Sequence, residues 1–222
     1  MEIKNKAAHD AVADLSIVDA YMRWALLASE EVVGKRGLSV VLHEAGLDRF
    51  IDDYPPDETK VISGLTFGDY SNLSAELLTF FGRAGKGMLR RIGRLSARHG
   101  IKRQGAVFGL ATALSSKVLP IPMQLKIGLT NMQNGFTKLS QEVGQEVHLR
   151  LEDRGDRFAY VDEDCSQCAG KEADACICLI RTGTIQEALH WLTGREFDVQ
   201  EVECRAMGAP ACIWEIRKEP KE

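Results

Sequence analysis

The chain has 222 residues, 45% hydrophobic and 27% charged, the balance of a folded soluble protein, which excludes intrinsic disorder and fibrous repeats. Its longest charge-free stretch, Gln104 to Ser116, is too short for the ~20 apolar residues of a membrane span. The polar amino terminus has no apolar signal core, so a cytoplasmic location is expected. The net charge of −4 averages three unlike stretches. Asp and Glu number 14 in residues 1–76, none in 77–141 and 18 in 142–222, while Lys and Arg number 7, 11 and 10. A middle third without a carboxylate needs an anionic partner or must pack against the acidic remainder.

In chain order, Leu15, Val18, Met22, Ala25, Leu26 and Val33 recur at helical spacing and predict a helix from Val12 to Val33. Gly34 and Gly37 are its stops, and a short helix follows from Leu38 to Ala45. Asp52-Asp53-Tyr54-Pro55-Pro56-Asp57 reads as a loop, because its prolines remove two backbone donors. It suggests a division into a helical N-terminal extension, residues 1–70, and a second unit, residues 71–222. Further helices are predicted from Leu73 to Phe81, Ala84 to Arg98 and Met123 to Val143.

Arg83, Arg90, Arg94 and Arg98 form one stripe of the Ala84–Arg98 helix, with Arg91 beside it. Such a stripe fits an anionic membrane surface, or a face neutralised by the chain's own acids. DNA is an unlikely partner on the same evidence, since neither a helix-turn-helix pattern nor interleaved stacking aromatics accompany it. Phe108, Leu110, Leu125, Leu129, Met132 and Phe136 are core residues or the wall of an apolar ligand pocket; composition allows both.

After Gly144 the period changes from helix to strand. Val147, Leu149 and Leu151 alternate with polar neighbours, Asp153 to Asp156 turns, and Arg157 to Asp162 returns as an antiparallel partner. A helix from Cys176 to Thr193 ends at Gly194, and strands at Phe197–Val202 and Cys212–Ile216 flank a turn at Met207–Pro210. The expected fold class is α+β, with helices packed on a twisted, mainly antiparallel sheet that encloses an apolar pocket.

All six cysteines lie in the last 58 residues: Cys165, Cys168, Cys176, Cys178, Cys204 and Cys212. Cys165 and Cys168 have the C-x2-C spacing of zinc sites, and Cys204 and Cys212 pair across a turn. A cytosolic setting favours metal ligation or buried thiols over disulfides. Glu201 stands three residues before Cys204, which on a regular strand puts the two on opposite faces, so it joins a cluster only through a bend or bulge.

The run Cys178-Leu-Ile-Arg-Thr-Gly183, then Leu192-Thr-Gly194, then Glu201-x2-Cys204-x3-Gly208-x3-Cys212 and the alternating Ile213 to Ile216 resembles the 4-vinyl-reductase, or hydrocarbon-binding, domain family. Cys165-x2-Cys168-x-Gly170 matches an upstream pair found in part of that family. The resemblance implies a fold like the TRAPP vesicle-tethering subunits, with an apolar ligand pocket. It also implies a zinc held by three Cys and one Glu, which fall here on Cys178, Glu201, Cys204 and Cys212. Cys165, Cys168 and Cys176 are then left for a second metal or redox site, or for exchange with the first.

The expected function is capture of a hydrophobic, aromatic or tetrapyrrole-like small molecule by a zinc-stapled sensor or carrier, acting through a homodimer or a partner protein. The alternatives are an enzyme or accessory of tetrapyrrole 4-vinyl reduction and a membrane-peripheral adaptor. Neither an acid–base pair nor a hydride-cofactor motif supports independent catalysis.

Overall fold

The computed structural model describes residues 2–109 and 116–221, so Leu110 lies outside the described residues. The first long helix, α1 (Asp19–Glu44), contains the break expected at Gly34, whose φ of 72° lies in the left-handed region. It begins later than the periodicity predicts. Residues 11–14 instead make a single 3-10 turn capped by Asp10, whose carboxylate accepts the Val12 N–H. Asp19, fully buried at the start of α1, accepts the N–H groups of Ile62 and Ser63 and so ties the proline-containing loop to the helix.

Helix α2 (Phe67–Phe81) opens with a capping box in which Thr66 and Asp69 each accept the other's backbone N–H. Helices α3 (Gly85–Gln104), α4 (Ile121–Glu142) and α5 (Leu179–Thr193) complete the helical layer among the described residues. Gly194, at φ 70°, stops α5 as expected.

Six strands are present among the described residues. Strands β2 (Leu149–Asp153), β3 (Arg157–Asp162), β5 (Phe197–Glu203) and β6 (Cys212–Pro220) form one antiparallel sheet in the order β2-β3-β6-β5. Strands β1 (Ile3–Asn5) and β4 (Lys171–Ala173) form a separate two-stranded ribbon that periodicity did not reveal, each being only three residues long.

The fold is therefore α+β. One hydrophobic cluster runs from Ile17 and Leu26 near the amino terminus to Trp214 and Ile216 in the last strand. The division at residue 70 falls inside α2, where Tyr70 is buried, and α1 packs against α3. The first seventy residues thus share the core of the rest instead of lying beside it, because their apolar face has no partner of its own to bury against.

Helices α3 and α5 cross at almost backbone contact. A Cβ on Gly93 would stand 2.0 Å from the Ile180 carbonyl oxygen, and one on Gly183 would stand 2.0 Å from that of Arg90. The glycines that weaken α3 as an isolated helix make this crossing possible.

The same crossing occupies part of the arginine stripe. Arg94 pairs with Glu187 at 2.9 Å and Glu196 at 2.7 Å, and Arg98 pairs with Glu187 at 2.6 Å. The carboxylate-free middle third is matched here by acids of the last third, which takes Arg94 and Arg98 out of the expected anionic-surface contact. Arg83, Arg90 and Arg91 remain exposed.

Candidate functional site

Five cysteines and one glutamate converge where α5 meets the sheet. Cys178 caps the start of α5, Cys204 follows β5, Cys212 opens β6, and Cys165 and Cys168 lie on the loop after β3. All five thiols are buried. Cys178 Sγ lies 3.6 Å from Cys165, 3.7 Å from Cys212 and 3.8 Å from Cys204, and Cys168 Sγ lies 3.4 Å from Cys212.

Glu201 reaches the cluster through a bulge. Glu201 pairs with Trp214 but Glu203 pairs with Ile213, so β5 carries one extra residue there. The bulge resolves the opposite-face problem of the sequence spacing. Glu201 Oε2 accepts the Cys178 N–H at 2.9 Å, whereas its Oε1 is buried with no partner among the described residues.

Two overlapping four-residue groups result, each with its donor atoms within 4.8 Å of one another: Cys178, Glu201, Cys204 and Cys212; and Cys165, Cys168, Cys178 and Cys212. Cys165 and Cys168 thus adjoin the first group and share two of its thiols. Cys176 stands apart, half-buried, with its sulfur 3.8 Å from that of Met207. It belongs to neither group.

The electrostatics of the cluster are those of crowded, buried acids. Burial and the neighbouring Cys204 push the Glu201 carboxyl up to about 10. Burial likewise drives the thiols of Cys178 and Cys212 upward. Hydrogen bonds from Cys168, Cys178 and Cys212 hold Cys204 well below the ordinary thiol range, so the negative charge settles there first.

The amino terminus straps the cysteine loop in place. Asp10 accepts the Gly170 N–H at 3.0 Å and pairs with Arg205 at 3.0 Å, while the Lys6 N–H donates to the Gly170 carbonyl. Lys171 donates to Asn5 and to Asn72, joining the β1–β4 ribbon to α2. These contacts lock the segment that carries Cys165 and Cys168 without any metal bond.

Two cavities flank this centre. The first, of about 80 Å³, lies among the helices and is lined by Tyr21, Trp24, Gly100, Phe108, Met132 and Phe136 with Trp191 and Leu192. Phe108, Met132 and Phe136 were among the expected pocket residues. Leu125 and Leu129 were too, but they line neither cavity; both are closed into the core at 0% and 1% exposure. An apolar helical stripe marks burial without distinguishing protein from empty space, and the opening on α4 comes instead at Gly128. The aromatic wall from α1 and α5 was not foreseen, because nothing local distinguishes Tyr21, Trp24 and Trp191 from packed aromatics.

The second cavity, of about 50 Å³, lies between α1, α4 and the sheet, and shares Tyr21 and Phe136 with the first. Its lining includes Arg181, Asp162 and Ser166, the last lying between Cys165 and Cys168. The two cavities and the cysteine cluster are therefore neighbours in one region. The main apolar space sits among helices and not inside the sheet, a correction to the expected enclosure.

The bulged carboxylate, the cysteine pairs and the glycine turns all fall within one stretch of known kind: residues 160–218 match the model of the 4-vinyl-reductase domain family. This segment is a 4-vinyl-reductase domain. It contains Cys165 to Cys212 and both of the four-residue groups. No curated protein matches the sequence.

Among solved structures the fold is similar to that of H-NOX domains. One structure from work on heme distortion in the H-NOX family has a TM-score of 0.61 at 13% identity, covering 93% of this chain and 97% of that one. An oxygen-binding H-NOX domain related to soluble guanylate cyclases has a TM-score of 0.58 at 14% identity, covering 92% and 96%. An H-NOX domain from Shewanella oneidensis, in a carbon monoxide-ligated state, has a TM-score of 0.54 at 12% identity, covering 89% and 98%. At such identities the likeness concerns the fold.

The glycines of the 4-vinyl-reductase pattern have visible tasks in this chain. Gly183 admits the α3 backbone, and Gly194 and Gly208 take left-handed conformations, at φ 70° and 90°, to end α5 and to turn between Cys204 and Cys212.

Proposed function

We propose that this chain is a small-molecule-binding sensor or carrier whose 4-vinyl-reductase domain is stapled by one zinc ion at Cys178, Glu201, Cys204 and Cys212. The ligand is a hydrophobic or aromatic compound seated in the cavity among the helices, and the output passes through a dimer or a partner protein. The observation that carries the reading is the adjacency of an apolar, aromatic-walled cavity to a buried cluster of metal-ligating side chains. Likeness in fold to oxygen- and heme-binding domains supports a binding role over a catalytic one.

The residues present fit a zinc ion. The donors are soft thiolates plus one carboxylate, tetrahedral in number, and the orphaned Glu201 Oε1 is the kind of buried atom a cation would satisfy. A zinc bound there would supply structural cross-linking of α5, β5 and β6, and no open position for chemistry. The chain's own residues do the rest. The Cys178 N–H orients Glu201, and the Arg205 N–H donates to Cys212 Sγ at 3.3 Å, so both ligands are held before any ion arrives.

A heme of the kind named for the fold relatives does not fit these residues. Heme iron is held by His, Cys, Met or Tyr, and among the described residues neither a His nor a Cys lines the cavity among the helices. His9, His43, His99, His148 and His190 each face a carboxylate instead. Tyr21 and Met132 do line the cavity, but its volume of about 80 Å³ leaves no room for a macrocycle. That volume is nearer the size that admits a single aromatic ring, since an engineered ~150 Å³ apolar cavity binds benzene.

Burial of apolar ligand area at ~25 cal/mol per Å² drives binding. Native mass spectrometry of the purified chain, with metal analysis of the same sample, tests the reading. One zinc and an apolar organic adduct are expected. A chain that purifies without metal and takes up neither aromatic nor aliphatic compounds would overturn it.

A further inference from the structure

The second cavity ends in a cation with too few partners. Arg181 leaves α5 three residues after Cys178, and its side chain is only 5% exposed. Its Nε and Nη1 have no hydrogen-bond partner among the described residues. Its ion pair, from Nη2 to Asp162 Oδ2, is long at 3.4 Å, and the other Asp162 oxygen already accepts the Asp164 N–H. The guanidinium lies 4.3 Å from the centre of the Phe136 ring, which fixes its plane and leaves the Nε–Nη1 edge unpaired. The Tyr21 hydroxyl is buried and likewise unpartnered among the described residues. Arg181 and Tyr21 both line this cavity, and its other walls include the apolar side chains of Ile17, Val18, Leu139 and Val143.

Leaving two guanidinium N–H groups and a hydroxyl buried and unpaired is unfavourable by ordinary desolvation arguments. The geometry of an exposed fork edge matches the two oxygens of a carboxylate, which a guanidinium binds through two parallel N–H bonds. We infer that Arg181 and Tyr21 form an anion-recognition point at the end of the second cavity, and that the ligand is an apolar carboxylic acid with its carboxylate on Arg181 and its hydrocarbon body against Ile17, Val18 and Leu139. This rests on the hydrophobic-ligand reading above and names its chemical class. Because the cavity also touches Ser166, between Cys165 and Cys168, an acid seated there contacts the loop that adjoins the metal cluster.

The test is isothermal titration of the intact, metal-loaded chain with two matched pairs, benzoate against benzyl alcohol and octanoate against 1-octanol. At least one acid is expected to bind ten-fold or more tighter than its alcohol. Arg181→Gln should remove that preference and leave alcohol affinity within about two-fold. Should Arg181→Gln fail to fold, Tyr21→Phe keeps the ring and deletes the hydroxyl, and should weaken the acid several-fold with the alcohol unchanged. Arg181→Lys should fall between, keeping charge but losing the fork. Equal affinity for acid and alcohol in both pairs overturns the anion site and leaves the hydrophobic-ligand reading standing. Binding of none of the four compounds overturns that reading as well.

Discussion

Cys178 and Cys212 belong to both four-residue groups, whereas Glu201 and Cys204 belong to one and Cys165 and Cys168 to the other. This separation makes the ligand set testable residue by residue. Cys178→Ser and Cys212→Ser are expected to abolish zinc binding, read as zinc per chain by plasma mass spectrometry, and Cys204→Ser to lower it strongly. Cys168→Ser should keep most of the metal, and Cys176→Ser, outside both groups, should keep all of it. Equal losses from Cys204→Ser and Cys168→Ser would mean that the ion is shared between the groups. The sequence pattern around these residues was specific enough to single out the four candidate ligands that the fold brings together, because ligand spacing is set by chemistry local to a turn and a helix cap. The juxtaposition of Cys165 and Cys168 with them was not legible. It depends on the path of a loop held by Asp10 and Lys6, far away at the amino terminus.

Among the elements, the crossing of α3 and α5 depends on two hydrogen atoms. Gly93→Ala would put a methyl group 2.0 Å from the Ile180 carbonyl oxygen. The helices must then separate, at a cost of roughly 3 kcal/mol. The expected fall in Tm is about 6–12 °C by circular dichroism, given ~2–4 °C per kcal/mol for a chain of this size. An unchanged Tm would mean that the helices do not approach so closely. Sequence periodicity found α3 and α5 but counted their glycines as helix defects, since propensity describes an isolated helix and not its neighbour.

The amino-terminal strap makes a pH prediction. Burial would raise the Asp10 carboxyl, but the Gly170 N–H and the Arg205 guanidinium outweigh it and hold its pKa at about 2, against an ordinary 3.8. A carboxyl lowered on folding stabilises the protein above its unfolded pKa, and that contribution is lost as pH falls through the folded value. Asp10→Asn should therefore be less stable than the parent at neutral pH, with the difference shrinking between about pH 4 and pH 2 in urea titrations. A pH-independent difference would show that Asp10 acts only as a cap.

For the whole molecule, charge segregation and a shared core explain why the chain folds as one body of helices on a sheet. The acidic outer thirds neutralise the basic middle: Arg94 and Arg98 meet Glu187 and Glu196, Arg103 meets Asp57, and His99 faces Glu31. Sequence counts predicted that some such match was needed, but only long-range packing decides which arginines stay free. The α+β class was legible because the helical and strand periods differ. The cavity positions were not, since Leu125 and Phe136 are alike in a sequence and differ only in what faces them.

The central claim is that a structural zinc beside the apolar cavities holds α5 to β5 and β6. X-ray absorption at the zinc edge of the purified chain tests it most directly. The expected shell is three sulfurs at ~2.3 Å and one oxygen at about 2.0–2.2 Å. A shell of nitrogen and oxygen alone, or a fully folded chain that binds no zinc at all, would contradict it.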